Sequence, residues 1–210
     1  LKILDICAAP GGKSMLAADI LNHADIDYML EARDISEYKV ELMQENFNRC
    51  HLNKAKAVAW DALEPDERWL GQADVVIADI PCSGLGVIGR KRDIKYKMTP
   101  QAVQDIVELQ EKILKVAASY VKKGGKLLFS TCTVNKDENE AHVKWIQDTL
   151  KMTPVSLNGT LPGLVHSPTT QQGFVQLIPG MQDTDGFFIS AFAVSYTHLR
   201  DHETDQYLVC

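Results

Sequence analysis

Long apolar runs are missing from this chain of 210 residues, and so are internal repeats and low-complexity segments. No apolar run reaches the roughly 18 residues that a membrane-spanning helix needs, and no signal peptide is recognisable. The contents of 45% hydrophobic and 24% charged residues are ordinary for a globular protein. These absences exclude a membrane-spanning protein and a repeat protein, and the length predicts one sizeable domain; a cytoplasmic location is expected because the cysteine pattern described next favours reduced thiols.

Cysteine is scarce, and its pattern excludes two further classes. The five cysteines are an odd number, are widely spaced and include no C-x-x-C pair, which opposes both a disulfide framework and a zinc site. Reduced thiols are therefore expected, with no bound metal. An excess of positive charge is also lacking, since the net charge is −6. This disfavours an extensive nucleic-acid-binding surface but is compatible with a local basic patch.

Strand and helix signals alternate along the chain, which predicts an α/β fold with a mostly parallel sheet of seven strands and helices on both faces. The predicted strands are 1–7, 27–34, 55–60, 73–80, 125–131, 173–179 and 186–193, and the predicted helices are 12–22, 36–50, 101–121 and 137–150. The last two strands are close in sequence and are expected to pair antiparallel at the sheet edge. Segment 151–172 has the composition of a loop.

The first residues, LKILDICAAPGGKS, end like a phosphate-binding P-loop. That motif needs a glycine where Cys7 stands, and Pro10 has no N–H to offer a phosphate, so nucleotide hydrolysis is the weaker alternative. A strand, a glycine turn and a helix also form dinucleotide sites. Asp34 stands 22 residues after Gly12, where a carboxylate would meet ribose hydroxyls. An adenosine-type ligand without a triphosphate fits best, although Asp34 is also a candidate helix N-cap.

Chemically active residues follow each of the first five predicted strands. Ligands of open α/β sheets bind beyond the carboxyl ends of the strands. The residues at those ends are Cys7–Lys13, Asp34, Asp61, Asp79–Cys82 and Ser130–Cys132. Each has an ordinary structural explanation, such as a turn cap for Asp61 or a small buried side chain for Cys82. Their occurrence at five strand ends predicts a site along one rim of the sheet.

Three segments together carry a family resemblance. They are Cys7–Lys13 (CAAPGGK), Asp79–Gly84 (DIPCSG) and Ser130–Val134 (STCTV). In combination they resemble the RNA cytosine-C5 methyltransferases of the Sun/RsmB–Nop2 group over about residues 1–193, and Gly86–Tyr96 is most similar to the bacterial RsmB type, which modifies small-subunit ribosomal RNA. The resemblance implies a Rossmann-like fold, S-adenosylmethionine as methyl donor, ribosomal RNA as partner, and a monomer without metal or membrane contact.

The same resemblance implies a role for each site residue. The loop of Cys7, Ala8, Ala9, Pro10, Gly11, Gly12 and Lys13 would wrap the methionine end of the donor. Asp34 would bind the ribose hydroxyls, and Asp61 would bind the adenine amino group. Asp79 would face both the donor and the target base. Cys132 would be the nucleophile, and Cys82 would assist release of the product.

The implied chemistry explains why two thiols are needed near a methyl donor. C5 of cytosine is a poor nucleophile, but a thiolate that adds at C6 makes C5 reactive, so covalent catalysis splits one hard step into easier ones. The nucleophilic cysteine needs a lowered pKa or a nearby base, and a carboxyl such as Asp79 could supply a proton to N3 of the ring. The presence of both Pro81-Cys82 and Thr131-Cys132 favours RNA over DNA.

Segment 89–97 holds five cations and one aromatic residue. It is predicted to bind RNA phosphates, with a base stacked on the aromatic ring; the alternative is a solvated loop. The residues concerned are Arg90, Lys91, Arg92, Lys95 and Tyr96.

Both ends of the chain depart from the family pattern. Residues 194–210 are unlike the family and are predicted to be a non-native tail, in which the four-residue spacing of His198 and His202 is not expected to bind metal. The chain starts inside a strand, so an N-terminal RNA-binding portion is expected to be absent. A catalytically impaired RNA-binding fragment of the same fold therefore remains an alternative.

Overall fold

The structure is a computed structural model and describes residues 1–160, 168–181 and 183–194. The tail predicted to be non-native lies outside the described residues from position 195 onward, with His198, His202 and Cys210. Part of the loop predicted at 151–172 lies outside them as well. No helix in the described part of the chain is long and apolar enough to cross a membrane.

The described residues form eight strands and six helices, with a short 3-10 turn at Leu85–Val87. In chain order they are β1 (Lys2–Asp5), α1 (Gly12–His23), β2 (Met29–Asp34), α2 (Glu37–Arg49), β3 (Ala55–Ala59), β4 (Ala73–Asp79), α3 (Ile94–Lys97), α4 (Pro100–Tyr120), β5 (Val121–Thr131), α5 (Glu140–Leu150), β6 (Thr153–Pro154), α6 (Pro168–Gln171), β7 (Phe174–Leu177) and β8 (Phe187–Ala193).

One sheet contains all eight strands, in the order β3-β2-β1-β4-β5-β8, with β6 and β7 both paired to β8. The first five strands are mutually parallel, and β8 runs antiparallel to β5, β6 and β7. The predicted α/β fold with a mostly parallel sheet is thus confirmed. The strand that the sequence did not predict is β6, which has only two residues and lies in the segment predicted to be a loop.

Two apolar layers cover the two faces of the sheet. Neighbouring strand residues point to opposite faces, and accordingly Leu4 and Ile3 of β1 belong to different core clusters. The Leu4 layer includes Ile113 of α4, while the Ile3 layer includes Met43 and Phe47 of α2. The predicted arrangement of helices on both faces follows from this alternation.

The junction between α4 and β5 differs from its prediction. The helix ends at Tyr120 and the strand starts at once, four residues before the predicted start at 125. Val121 pairs with Ala73, and the register shifts between Ala73 and Val75. The two lysines and two glycines at 122–125 have the composition of a turn, but here they form an irregular strand entry next to this shift.

Candidate active site

The glycine loop, residues 7–13, connects β1 to α1. Gly11 is the N-cap of α1 with φ 97°, and a Cβ there would lie 3.2 Å from Cγ of Met43. Only glycine adopts this backbone without strain. The amide of Ala8 donates to the carbonyl of Arg33 at 2.7 Å, which joins the loop to the end of β2. A Cβ on Gly12 would meet no heavy atom within 4 Å, so the start of α1 faces open space.

Two of the predicted carboxylates lie at the ends of the neighbouring strands. Asp34 ends β2 and its Oδ1 accepts the amide of Ser36 at 3.0 Å. Ser36 is itself the N-cap of α2, so the N-cap alternative for Asp34 is wrong. Asp61 follows β3 and its Oδ1 accepts the amide of Leu63 at 2.9 Å, which is the turn-capping contact that the ordinary explanation requires.

These features fit an adenosine-type ligand. Open space above Gly12 allows close approach to the helix start, where backbone N–H groups favour polar ligand atoms. The carboxylates of Asp34 and Asp61 stand at successive strand ends, where ribose and base recognition is expected. Cys7 is unsuited to act as a nucleophile, because burial, reinforced by nearby carboxylates, raises its pKa to about 12.

Asp79 joins the glycine loop to β5. Its Oδ2 lies 2.5 Å from Nζ of Lys13, and its Oδ1 accepts the hydroxyl of Ser130 at 2.8 Å. The Lys13 ammonium also lies 5.3 Å from the centre of the Phe187 ring. The Asp79 side chain remains 29% exposed, so a ligand at the rim would reach it.

The two predicted catalytic cysteines are in contact. Cys132 directly follows β5, Cys82 follows β4 by three residues, and these strands are adjacent and parallel. The Sγ atoms of the pair lie 3.2 Å apart, and the Cys132 amide donates to Sγ of Cys82 at 3.3 Å. Both residues are half-buried. We call Cys82 and Cys132 the thiol pair.

The contact makes the two thiols chemically unequal. The hydrogen bond from Cys82 lowers the pKa of Cys132 from 9.0 to about 7, against the opposing effect of burial. The same hydrogen bond, together with burial, raises the pKa of Cys82. Cys132 is therefore the thiol that ionises near neutral pH and can attack an electrophile.

Sequence reasoning missed a buried carboxyl beneath the glycine loop. Asp5 is fully buried, and its Oδ2 accepts the hydroxyl of Ser14 at 2.7 Å. Its Oδ1 has no hydrogen-bond partner among the described residues. Burial raises the pKa of Asp5 to about 7. The available signal was the single acidic residue within the apolar run that forms β1.

Two further polar residues, Glu138 and Asn139, were also missed. Both are fully buried and precede α5. Asn139 Oδ1 accepts the hydroxyl of Thr131 at 2.6 Å, and its Nδ2 donates to the carbonyl of Thr133 at 3.0 Å. These bonds hold the residues on both sides of Cys132, Thr131 through its hydroxyl and Thr133 through its carbonyl.

The predicted RNA-binding side chains lie mostly on the surface. Tyr96 is 78% exposed, with Nζ of Lys95 lying 4.7 Å from its ring centre. Lys91 and Arg92 are exposed, whereas Arg90 pairs with Asp185 at 3.0 Å. The structure therefore brings Lys13, Asp79 and the thiol pair together, and the Lys91 charge is near enough to contribute to lowering the pKa of Cys132. Within residues 1–160, 168–181 and 183–194, no group of His, Cys, Asp and Glu is arranged to hold a metal ion.

Comparison with known proteins identifies relatives of this chain. The chain is 38% identical over 190 residues to the probable ribosomal RNA small subunit methyltransferase B of Bacillus subtilis, covering 89% of this chain and 42% of that protein. It is 28% identical over 191 residues to the ribosomal RNA small subunit methyltransferase F of Escherichia coli, covering 90% of this chain and 39% of that protein. The chain thus spans about two fifths of the length of these relatives.

A solved structure supports the same relationship. NSun6 from Pyrococcus horikoshii, solved with the S-adenosylmethionine analogue SFG, matches with a TM-score of 0.75 and 26% identity, over 92% of this chain and 48% of that one. The family model described as 16S rRNA methyltransferase RsmB/F matches residues 1–193. With the glycine loop, the thiol pair and this match in agreement, the chain belongs to the RsmB/F family of S-adenosylmethionine-dependent methyltransferases.

Proposed function

We propose that this chain is the catalytic portion of an enzyme that methylates C5 of a cytosine in small-subunit ribosomal RNA through a covalent adduct on Cys132. The observation that carries the proposal is the thiol pair, whose Sγ atoms lie 3.2 Å apart. The relatives, which are small-subunit rRNA methyltransferases, support this choice of RNA. We assign the catalytic portion to residues 1–193 and regard 194–210 as a non-native tail.

The glycine loop would hold the methyl donor. Residues 7–13 would enclose its methionine end, Asp34 would accept hydrogen bonds from the ribose hydroxyls, and Asp61 would accept one from the adenine amino group. S-adenosylmethionine supplies an electrophilic methyl group bonded to a positively charged sulfur. Family membership leaves the nucleotide-hydrolase alternative without support, because the same Gly-Gly-Lys-Ser sequence belongs to a methyltransferase loop.

Cys132 would attack the cytosine ring as a thiolate. Its sulfur would form a bond to C6, and the electron pair displaced from the C5–C6 double bond would make C5 nucleophilic. C5 would then take the methyl group, whose bond to the donor sulfur breaks to leave a neutral thioether. A base must afterwards remove the C5 proton, and the C6–S bond breaks to restore the ring and the Cys132 thiolate. Cys82 is the nearest thiol to that bond and would assist this release.

Asp79 would orient the target base. Its two carboxylate oxygens already accept hydrogen bonds from Lys13 and Ser130, so its position is fixed between the glycine loop and β5. A carboxyl held there would contact the polar edge of the cytosine while C6 faces the Cys132 sulfur. This would exploit proximity, since aligning the two reacting groups removes much of the barrier to their encounter.

The basic segment, residues 89–97, would bind the RNA on either side of the target base. The exposed Lys91, Arg92 and Lys95 would contact phosphates, and Tyr96 would stack on a base. Arg90 would contribute after exchanging its contact with Asp185 for a phosphate. The segment follows Cys82 closely in the chain, and the amide of Gly86 donates to the carbonyl of Cys132 at 3.1 Å, so bound RNA would lie near the thiol pair.

Trapping the adduct tests the proposal. The Cys82→Ala variant is incubated with a small-subunit rRNA fragment and S-adenosylmethionine, and denaturing electrophoresis separates free from protein-bound RNA. A buffer of about pH 9 is appropriate, because loss of the Cys82 hydrogen bond raises the pKa of Cys132. We expect a protein–RNA adduct that disappears when Cys132→Ala is added.

The exposed Cys50 provides the matched control. Cys50→Ala should neither trap an adduct nor remove one from the Cys82→Ala background. An adduct that persists without Cys132 would contradict the assigned nucleophile. Donor binding without any adduct, with the equivalent variant of the Bacillus subtilis relative forming one, would favour the alternative of an impaired RNA-binding fragment.

A further inference from the structure

Glu138 occupies a fully buried position between the two cysteine-bearing segments. Its Oε2 accepts the backbone amide of Ser83 at 2.8 Å, next to Cys82. Its Oε1 lies 3.5 Å from the hydroxyl of Thr133, next to Cys132, and accepts a hydrogen bond from the side-chain Nδ2 of Asn135 at 3.3 Å. One carboxylate therefore contacts both Ser83 and Thr133, the residues that directly follow the two cysteines.

A second buried side chain, Gln110, holds the Cys82 segment on the other side of the cysteine. Gln110 is fully buried in α4, and its Nε2 donates to the carbonyl of Pro81 at 2.9 Å and to Oε2 of Glu138 at 3.0 Å. The backbone around Cys82 is thus held at its preceding carbonyl and at its following amide. The hydroxyls of Ser83 and Thr133, 2.7 Å apart, complete the connection.

Such a carboxylate is costly to bury, and its hydrogen bonds must offset that cost. The donors around Glu138 come from β4's exit, from α4 and from the segment after β5, three parts of the chain far apart in sequence. Nothing among these contacts reaches the open space at Gly12 or the carboxylates of Asp34 and Asp61. The network therefore acts on the geometry of the thiols and not on the glycine loop.

We propose that Glu138 is a positioning residue that holds the Cys82 and Cys132 segments in register, so that the two sulfur atoms share a hydrogen bond. Its importance for methyl transfer rests on the proposed function, whereas its effect on the thiols can be measured without RNA. Glu138 touches neither sulfur, and it acts through the backbone beside Ser83 and through the hydroxyl of Thr133.

The test compares Glu138→Ala with Glu140→Ala, which removes an exposed carboxylate two residues away. Iodoacetamide alkylation of Cys132 is followed by peptide mass spectrometry across a range of pH, and S-adenosylmethionine binding is measured by calorimetry. For Glu138→Ala we expect alkylation of Cys132 at about pH 7 to slow about tenfold, because the thiolate fraction falls when its hydrogen bond is lost. The donor affinity should stay within about twofold, and Glu140→Ala should match the wild type.

Two further variants guard against misfolding. Glu138→Gln keeps an oxygen for Ser83 and should restore most of the alkylation rate. Gln110→Leu removes the contacts of Gln110 with Pro81 and Glu138, together with the buried Gln110 Oε1, which has no partner among the described residues. This variant should therefore fold, and it should also slow the alkylation of Cys132. If Glu138→Ala fails to fold, the alkylation rate of Cys132 in Gln110→Leu tests the proposal instead.

Wild-type alkylation rates in folded Glu138→Ala, or in Gln110→Leu when that variant decides, would overturn the proposal. Failure of the proposed function has a different signature. In that case the Cys82→Ala protein forms no RNA adduct, while Glu138→Ala still slows alkylation of Cys132. The positioning of the thiols would then stand without the cytosine chemistry.

Discussion

The backbones of Gly86 and Gly186 lie directly against each other. The amide of Gly186 donates to the carbonyl of Gly86 at 2.8 Å, and a Cβ on Gly86 would overlap the Gly186 carbonyl oxygen. It would also lie 2.8 Å from the carbonyl oxygen of Cys132. Three segments thus meet at this point without room for a side chain: the exit of β4, the exit of β5 and the entry to β8.

Gly86→Ala should therefore destabilise the protein. The added methyl group overlaps backbone atoms that cannot move independently, and we expect the free energy of unfolding to fall by about 1–3 kcal/mol. Urea unfolding followed by tryptophan fluorescence measures this change. Gly89→Ala is the control, because a Cβ there meets nothing within 4 Å. Equal stability of the two variants would show that the contact is not as close as described.

The reactivity of Cys132 should depend on Cys82. The hydrogen bond from Cys82 lowers the pKa of Cys132 to about 7, so the thiolate is present above that pH and is lost as the pH falls through it. Cys82→Ala removes the donor, and the midpoint of Cys132 alkylation should move up by about one pH unit or more. Iodoacetamide labelling with peptide mapping gives the midpoint. Cys50→Ala should leave it unchanged, and an unchanged midpoint in Cys82→Ala would refute this account.

Asp5 should make stability depend on pH. Burial raises its pKa from 3.8 to about 7, so the folded state holds this proton more tightly than the unfolded chain does. This contribution is fully present below about pH 3.8 and is lost as the pH rises through about 7. Asp5→Asn keeps an acceptor for Ser14 but cannot ionise. Its stability relative to the wild type should increase between about pH 5 and about pH 8, by at most about 3 kcal/mol.

Thermal unfolding of both proteins at each pH measures the effect of Asp5. Asp19→Asn on the exposed side of α1 is the control, because it removes a carboxylate that lies in solvent. A constant difference between Asp5→Asn and the wild type across this range would mean that Asp5 titrates equally in both states.

The sequence predicted the residues whose position follows from a strand end. Asp34, Asp79 and Cys132 each sit at or directly after the end of a parallel strand, so alternation of strands and helices was enough to bring them to one rim. The two-residue strand β6 was missed, because so short a segment has no periodicity. Its pairing with Phe192 and Ala193 is decided by the rest of the sheet.

Glu138 shows why the other site residues could not be predicted from the sequence. It lies in the polar run NKDENE, which has the composition of a solvated segment before a helix. Its burial results from packing against Ser83, 55 residues earlier in the chain. Local pattern carries no signal of such a partner, whereas the acidic residue in β1, Asp5, interrupted an apolar run and was detectable.

The two glycines that open α1 should respond differently to substitution. Gly11→Ala forces a side chain onto a backbone with φ 97° and against Met43, so it should lower stability. Gly12→Ala adds a methyl group in open space, so it should fold normally but weaken S-adenosylmethionine binding at least about tenfold if the donor approaches the loop closely. Calorimetry measures the affinity, with Gly89→Ala as control. Wild-type affinity in Gly12→Ala would move the donor away from this loop.

The exposed cations of the basic segment should contribute to RNA binding in a salt-dependent way. Each phosphate contact releases counterions, so Lys91→Ala and Lys95→Ala should each reduce the slope of log affinity against log salt by about 0.7. Tyr96→Ala should weaken binding by about 1–3 kcal/mol without changing that slope, because stacking involves no ion release. Filter binding of a small-subunit rRNA fragment over a salt series separates the two effects. Lys123 is an exposed lysine at the start of β5, and Lys123→Ala should change neither the RNA affinity nor the salt slope. An equal loss of affinity in that variant would mean that overall charge, and not the basic segment, determines RNA binding.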